Sequence, residues 1–93
     1  MRTRIRTGRV NAKYTGDNWY DGTVDGYRFQ AKAFNEPSRF GINPEKPEEV
    51  GFSTVSKLCI WDGKTVIYNY DRGFDEGTEQ GKGLVARVVE AFK

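Results

Sequence analysis

The second half of the chain carries aromatic and cationic residues at a spacing that could bind a partner. Trp61, Tyr68 and Tyr70 fall on one predicted strand face together with Lys57 and Lys64. Exposed side chains of these types stack on the bases of a single nucleic-acid strand, or form a hot spot for a protein partner. The structural alternative is that this face packs beneath a helix or a loop.

A second candidate surface is the basic N-terminus. Arg2, Arg4 and Arg6 alternate with apolar or small residues, so they would stand about 6.8 Å apart on one face of a strand, twice the strand rise. This spacing is close to the phosphate repeat of an extended nucleic-acid strand, which Arg2, Arg4, Arg6 and Arg9 could therefore follow. The alternatives are an edge strand that its charge protects from aggregation, or a frayed basic terminus.

The stretch NEPSRFGIN, residues 35–43, is the third candidate. Pro37 fixes its own φ and restricts the residue before it, and Gly41 permits a left-handed turn. The pattern favours a structural bend. As a loop that contacts a partner, it would act through Arg39 and Phe40.

The composition excludes most catalytic chemistry. There is no histidine and Cys59 is the single cysteine, so the chain has neither a Ser-His or Cys-His dyad nor an ordinary structural zinc site. The acids between Asp71 and Glu79 lack the ligand spacing of a calcium loop, and we interpret them as the approach to a helix N-terminus. We therefore predict a non-enzymatic protein with no catalytic residues, no metal and no cofactor. An enzyme or small-ligand protein would need carboxylates gathered in a pocket.

Length and charge set the class of protein. Ninety-three residues predict a single domain, residues 1–93, and 14% aromatic residues provide apolar surface to bury. No apolar run is long enough to span a membrane, and no secretory signal is present, so we expect a cytoplasmic protein. The net charge of +2 is uneven: the first 16 residues are basic, whereas residues 35–51 and 71–93 are acidic.

Two hairpins must position these residues. Asp25-Gly26 is a preferred type I′ turn pair, and folding about it opposes Val24 to Tyr27 and Gly22 to Phe29. One face of this hairpin is then apolar, with Tyr20, Val24, Tyr27, Phe29, Ala31 and Ala33. The other face is polar, with Asp21, Thr23, Arg28, Gln30 and Lys32.

The second hairpin is predicted to fold about Asp62-Gly63. This register places Leu58, Ile60 and Ile67 on one face, and it places Trp61, Tyr68 and Tyr70 on the other. Both faces are apolar enough to need cover, unless one of them is an exposed aromatic patch.

The remaining elements complete an α+β architecture. RTRIRTGRVNAKY, residues 2–14, predicts one N-terminal strand, and GKGLVARVVEAFK predicts a C-terminal helix that begins between Thr78 and Gly83. The apolar stripe of this helix is Leu84, Val85, Val88, Val89 and Phe92. We predict a four- to five-stranded antiparallel sheet, made of two hairpins plus the N-terminal strand, with the C-terminal helix packed on one face.

Three pieces together carry a resemblance: YDGTVDGYRFQAKAFNEPSRFGIN (20–43), VSKLCIWD (55–62) and NYDRGFD (69–75). The chain resembles a family of small uncharacterised proteins found in phages and mobile elements of Gram-positive bacteria. Members of that family pass almost directly from the first piece into the second, whereas this chain inserts Pro44 to Thr54. The resemblance implies a genomic setting and no mechanism.

The resemblance and the composition lead to two hypotheses. The first is a phage or mobile-element accessory protein that binds a host protein, and that could inhibit a host defence system in an anti-CRISPR-like role, in the cytoplasm of the bacterial host. The alternative is a nucleic-acid-binding accessory domain that uses the basic N-terminal strand and the aromatic sheet face. The sequence is compatible with a monomer and with a homodimer formed through strand edges.

Overall fold

A computed structural model describes residues 3–93, which form one antiparallel sheet followed by a helical segment. Seven strands pair in the order of the sequence: β1 (Arg4–Thr7), β2 (Val10–Gly16), β3 (Trp19–Val24), β4 (Tyr27–Ser38), β5 (Ser53–Asp62), β6 (Thr65–Asp71) and β7 (Phe74–Gly77). The helices are α1 (Glu79–Lys82) and α2 (Val85–Ala91). The α+β class with a C-terminal helix is confirmed, whereas the prediction of four to five strands is wrong.

Two short strands account for the difference in number. The predicted N-terminal strand is two strands, because the chain reverses at Gly8, whose φ of 55° is left-handed, so that Thr7 pairs with Val10. The other additional strand is β7, which lies in the acidic stretch predicted as the approach to a helix and pairs Glu76 with Asn69.

The first hairpin, formed by β3 and β4, has the predicted register. Val24 pairs with Tyr27 and Gly22 pairs with Phe29. Asp25 and Gly26 have φ values of 50° and 86°, as a type I′ turn requires. The predicted apolar face is the buried one, since Tyr20, Val24, Phe29, Ala31 and Ala33 all lie in the core.

The second hairpin, formed by β5 and β6, turns one residue later than predicted. Asp62 pairs with Thr65, so the two central residues of the turn are Gly63 and Lys64. Gly63 has a φ of 60° and is free to take this left-handed conformation.

A bulge in β6 then changes which side chains share a face. Trp61 pairs with Val66, but the preceding residue, Ile60, pairs with Tyr68, so Ile67 is an extra residue in β6. Because side chains alternate between the faces of a strand, one extra residue moves the rest of the strand to the opposite face. Both tyrosines of β6 therefore point into the core.

The helical segment covers one face of the sheet. Thr78 accepts a hydrogen bond of 3.0 Å from the backbone N–H of Gly81 and caps α1, within the predicted range for the helix start. The ring of Phe92 lies 4.8 Å from that of Tyr20 and 6.4 Å from that of Phe29. The predicted apolar stripe is buried in full: Leu84, Val85, Val88, Val89 and Phe92. Across residues 3–93, neither helix has the length and apolar character needed to cross a membrane.

Residues 39–52 form a loop over the end of the core. Ile42 is fully buried and forms an isolated bridge with Val50. The Tyr70 hydroxyl donates to the backbone carbonyls of Phe40 and Gly41, at 2.9 and 3.0 Å. The backbone carbonyls of this loop thus accept hydrogen bonds from the polar end of a core side chain.

Candidate functional site

The sheet face opposite α2, here called the outer face, is lined by polar and aromatic side chains. The strand register aligns one residue from each of the seven strands across this face, and all of them are exposed or partly exposed. They are Arg4, Lys13, Asp21, Gln30, Cys59, Asn69 and Glu76. The neighbouring strand positions on either side of this row contribute the aromatic and cationic residues.

Two tryptophans border a cleft of about 220 Å³ on the outer face. Trp19, at the start of β3, and Trp61, near the end of β5, both line this Trp19–Trp61 cleft. Gln30, Cys59 and Asn69 also line it, so that two amide side chains lie between two indole rings. Such a cleft can hold an apolar or planar group and form hydrogen bonds with its edge.

Cations lie on the faces of both tryptophans. The guanidinium carbon of Arg28 is 4.4 Å from the centre of the Trp61 ring. The Nζ atoms of Lys32 and Lys57 are 5.8 and 5.9 Å from the centre of the Trp19 ring. Each cation–π contact at an exposed position contributes about 0.5–1 kcal/mol. These contacts hold the aromatic and charged side chains in a defined arrangement before any partner binds.

A second depression, of about 270 Å³, adjoins the cleft at Lys57. Phe34 and Phe40 line it and are 39% and 42% exposed. Lys32, Lys57 and Arg72 line it as well. The guanidinium carbon of Arg39 lies 5.1 Å from the centre of the Phe40 ring. This Phe34–Phe40 depression therefore combines exposed aromatic surface with positive charge.

The structure brings together four of the residues predicted to bind a protein partner. Lys57 and Trp61 line the Trp19–Trp61 cleft, Phe40 lines the adjoining depression, and Arg39 lies against Phe40. Lys64 is exposed in the turn between β5 and β6 and lines neither of the two depressions.

The prediction that Tyr68 and Tyr70 share an exposed face with Trp61 is wrong. Tyr68 and Tyr70 are 0% and 1% exposed, and their hydroxyls are bonded to backbone carbonyls of the 39–52 loop. The extra residue Ile67 turns them to the core face, where no partner can stack on them.

The arginines of the N-terminus are separate from both depressions. Arg4 and Arg6 are exposed on one face of β1, with buried Ile5 between them. Arg9 lies in the following turn, and its Nε is 3.8 Å from a carboxylate oxygen of Asp25. Arg2 lies outside the described residues. Arg4 and Arg6 therefore lie on one face of the edge strand β1, as predicted, whereas Arg9 lies beside Asp25.

Sequence reasoning missed Trp19, the residue that completes the cleft. A signal for it was available, because Trp19 is two residues before Asp21 and therefore shares the polar face predicted for the first hairpin. Arg28, Gln30 and Lys32 were placed on that face correctly, but as solvent-exposed residues without a role. Their association with Trp61 depends on the pairing of β4 with β5.

Cys59 has no sign of activation as a nucleophile. Burial raises the pKa of its thiol, and the Glu76 carboxylate raises it further, while Arg28 acts in the opposite direction. The thiol is therefore protonated at neutral pH, and a protonated thiol is a poor nucleophile. Within residues 3–93, no three His, Cys, Asp or Glu side chains are grouped so that they could hold a metal ion. The chemistry that the described cleft offers is stacking, hydrogen bonding and charge pairing.

Comparison with known proteins adds a family without an assigned activity. Neither a curated protein nor a solved structure matches the chain. A family model matches residues 18–93, a range that contains both depressions of the outer face but begins after Arg4, Arg6 and Arg9. Because this match covers most of the chain, the protein belongs to the family described as Domain of unknown function (DUF7678).

Proposed function

We propose that this protein is a non-enzymatic accessory protein that binds another protein through the outer face of its sheet. The observation that carries the proposal is the position of Trp19 and Trp61 in one cleft, each with a cation against its ring. Tryptophan and arginine are the residues most enriched in protein-binding hot spots. The exposed Phe34 and Phe40 extend the same apolar surface.

The charges of the outer face favour a protein over a nucleic acid as the partner. Arg28, Lys32 and Lys57 share this face with Asp21 and Asp71, and Lys57 Nζ is 3.4 Å from an Asp71 carboxylate oxygen. A phosphate backbone needs a continuous positive track. Charges of both signs around an aromatic centre are typical of the polar rim of a protein interface.

The resemblance to phage and mobile-element proteins of Gram-positive bacteria supports a host protein as the partner. Occupying a working surface of a host enzyme would inhibit it without any catalysis by the small protein. We therefore extend the proposal to inhibition of a host defence system, in the cytoplasm of the bacterial host and without a cofactor.

Capture from a Gram-positive host lysate tests this proposal. The tagged protein should retain a host protein in stoichiometric amount after nuclease treatment, and Trp61→Ala should abolish the retention. Phe52→Ala is the matched control, because Phe52 is an aromatic residue that is 73% exposed on the 39–52 loop and lines neither depression. Retention that survives Trp61→Ala and Trp19→Ala but is lost with Phe52→Ala would contradict the proposal.

A second candidate function is binding of a single nucleic-acid strand. It is favoured by one observation, the exposed pair Arg4 and Arg6 on one strand face, with Lys13 paired to Arg4 on β2. The logarithm of the affinity for oligothymidylate would then fall with the logarithm of salt concentration, by about 0.7 for each phosphate neutralised. Replacing Arg4 and Arg6 with alanine should flatten this dependence, and an unchanged slope would exclude the candidate.

A further inference from the structure

The Phe34–Phe40 depression holds a concentration of positive charge that the protein itself does not neutralise. Lys32 and Lys57 occupy directly opposite positions on β4 and β5. Like charges at opposite positions of neighbouring strands destabilise the sheet. Within residues 3–93, the carboxylate that pairs with one of these lysines is that of Asp71, which is 3.4 Å from Lys57 Nζ and 3.8 Å from Nε of a third cation, Arg72. Lys32, Lys57 and Arg72 carry three positive charges and Asp71 carries one negative charge, so the local net charge is +2.

The third cation is held beside the depression by an unusual backbone. Arg72 has a φ of 57°, the left-handed region in which residues other than glycine and asparagine are uncommon. Its backbone N–H donates to the carbonyl oxygen of Ser56 on β5 at 2.8 Å, and this bond fixes the turn against the sheet. Arg72 therefore lines the depression together with Lys57. Glycine would adopt this backbone conformation more readily than arginine does.

The depression thus fits a group that is both anionic and apolar. Phe34 and Phe40 offer exposed ring surface to an apolar side chain, and the opposed lysines with Arg72 offer partners to a carboxylate. None of the described residues that line it carries a carboxylate. The patch is short, because Asp71 ends the row that runs through Lys32 and Lys57. A short acidic segment needs only such a patch, whereas a nucleic-acid strand needs a longer one.

We infer that the partner's docking segment is acidic, and that it places an apolar side chain against Phe34 and Phe40 with a neighbouring carboxylate on Lys32, Lys57 and Arg72. This inference rests on the proposed function and names the chemistry of the partner. An anionic group there relieves the repulsion between the two opposed lysines, so binding and local stability are coupled.

Two synthetic peptides of equal length test the inference by NMR titration of the isotope-labelled full chain. One peptide carries Asp and Glu around a single Leu, and the other carries Lys in place of each acid. The acidic peptide should shift the amide resonances of Phe34, Phe40, Ser56 and Arg72, and the basic peptide should not. Equal shifts from both peptides, shifts only from oligothymidylate, or no shifts with either peptide up to millimolar concentration would overturn the inference.

Variants of Arg72 separate charge from folding. Arg72→Gly removes the cation and relieves the left-handed strain, so it should weaken acidic-peptide binding by up to about fivefold while the protein stays folded. Arg72→Lys should restore most of the affinity, and Lys64→Ala, a cation removed from a distant turn, should leave it unchanged. If lysate capture depends on Trp61 but Arg72→Gly alters neither capture nor peptide binding, the proposed function stands and the acidic-segment inference fails.

Discussion

The Tyr68 hydroxyl donates a hydrogen bond of 2.7 Å to the backbone carbonyl oxygen of Pro47. Tyr68 is completely buried in the core, and Pro47 lies in the 39–52 loop. The bond therefore connects β6 to the 39–52 loop. It gives residues 44–50 a structural role that their two prolines and three glutamates did not indicate.

Loss of this hydroxyl should destabilise the protein. We expect Tyr68→Phe to lower the free energy of unfolding by about 0.5–1.5 kcal/mol, because the Pro47 carbonyl loses its partner. Tyr27→Phe is the control, since the Tyr27 hydroxyl contacts Gln80 in an exposed position and should cost less than about 0.5 kcal/mol. Urea unfolding followed by circular dichroism measures both variants. Equal effects of the two substitutions would remove the role assigned to the Tyr68–Pro47 bond.

The same residue should make the fold sensitive to alkali. Burial raises the pKa of the Tyr68 phenol far above its ordinary value of about 10, with Tyr70 and Glu48 adding to the shift. The unfolded chain therefore loses this proton at a lower pH than the folded chain, so stability is full below about pH 10 and falls as the pH rises beyond it. The stability difference between wild type and Tyr68→Phe should narrow above that pH. A difference that stays constant in urea unfolding up to about pH 11 would contradict this prediction.

Two neighbouring glycines should respond to alanine with opposite signs. A Cβ on Gly81 would lie 1.9 Å from the carbonyl oxygen of Ile67, so Gly81→Ala should destabilise the protein by about 1–3 kcal/mol. A Cβ on Gly83 would approach no atom closer than 3.4 Å, and its φ of −67° suits alanine. Gly83→Ala should therefore stabilise the protein by about 0.4–1 kcal/mol. Thermal unfolding of both variants provides the measurement, and a shift of the same sign in both would refute the packing of α1 against β6.

Asp25 should couple the first hairpin to α2. Its carboxylate is 3.0 Å from the Arg87 guanidinium and 3.8 Å from that of Arg9, and its side chain is 15% exposed. Asparagine tolerates the left-handed φ of this position, so Asp25→Asn removes charge and leaves the turn intact. A double-mutant cycle with Arg87→Ala should give a coupling energy of about 0.5–1 kcal/mol, since Arg87 is half-exposed. Additive effects of the two substitutions would show that the pair contributes nothing.

Local signals predicted the parts of the fold whose partners are close in sequence. The Asp25-Gly26 turn determines the register of β3 with β4, and the two-residue alternation then assigns every side chain of that hairpin to a face. The apolar stripe of the C-terminal helix is likewise periodic over one short segment. In both cases the information lies within about 15 consecutive residues, so sequence alone is sufficient.

The candidate site was predictable only in part. Lys57, Trp61, Arg39 and Phe40 were selected by residue type, and the structure places them on or beside the outer-face depressions. Trp19 was not selected because it is distant in sequence from the second hairpin. Two intervening strand pairings, β3 with β4 and β4 with β5, bring it into the same cleft.

The sequence by itself determined the fold class, the register of the first hairpin, the buried face of the helix and the residue types available for binding. Only the tertiary structure decided which aromatic residues are exposed. The bulge at Ile67 turns Tyr68 and Tyr70 inward, where carbonyls of the 39–52 loop accept their hydrogen bonds. The periodicity of β6 does not indicate where those carbonyls lie. Burying a tyrosine hydroxyl costs free energy unless it forms a hydrogen bond with such a partner. The inward orientation of Tyr68 and Tyr70 is therefore matched by hydrogen bonds to a loop that is distant in sequence.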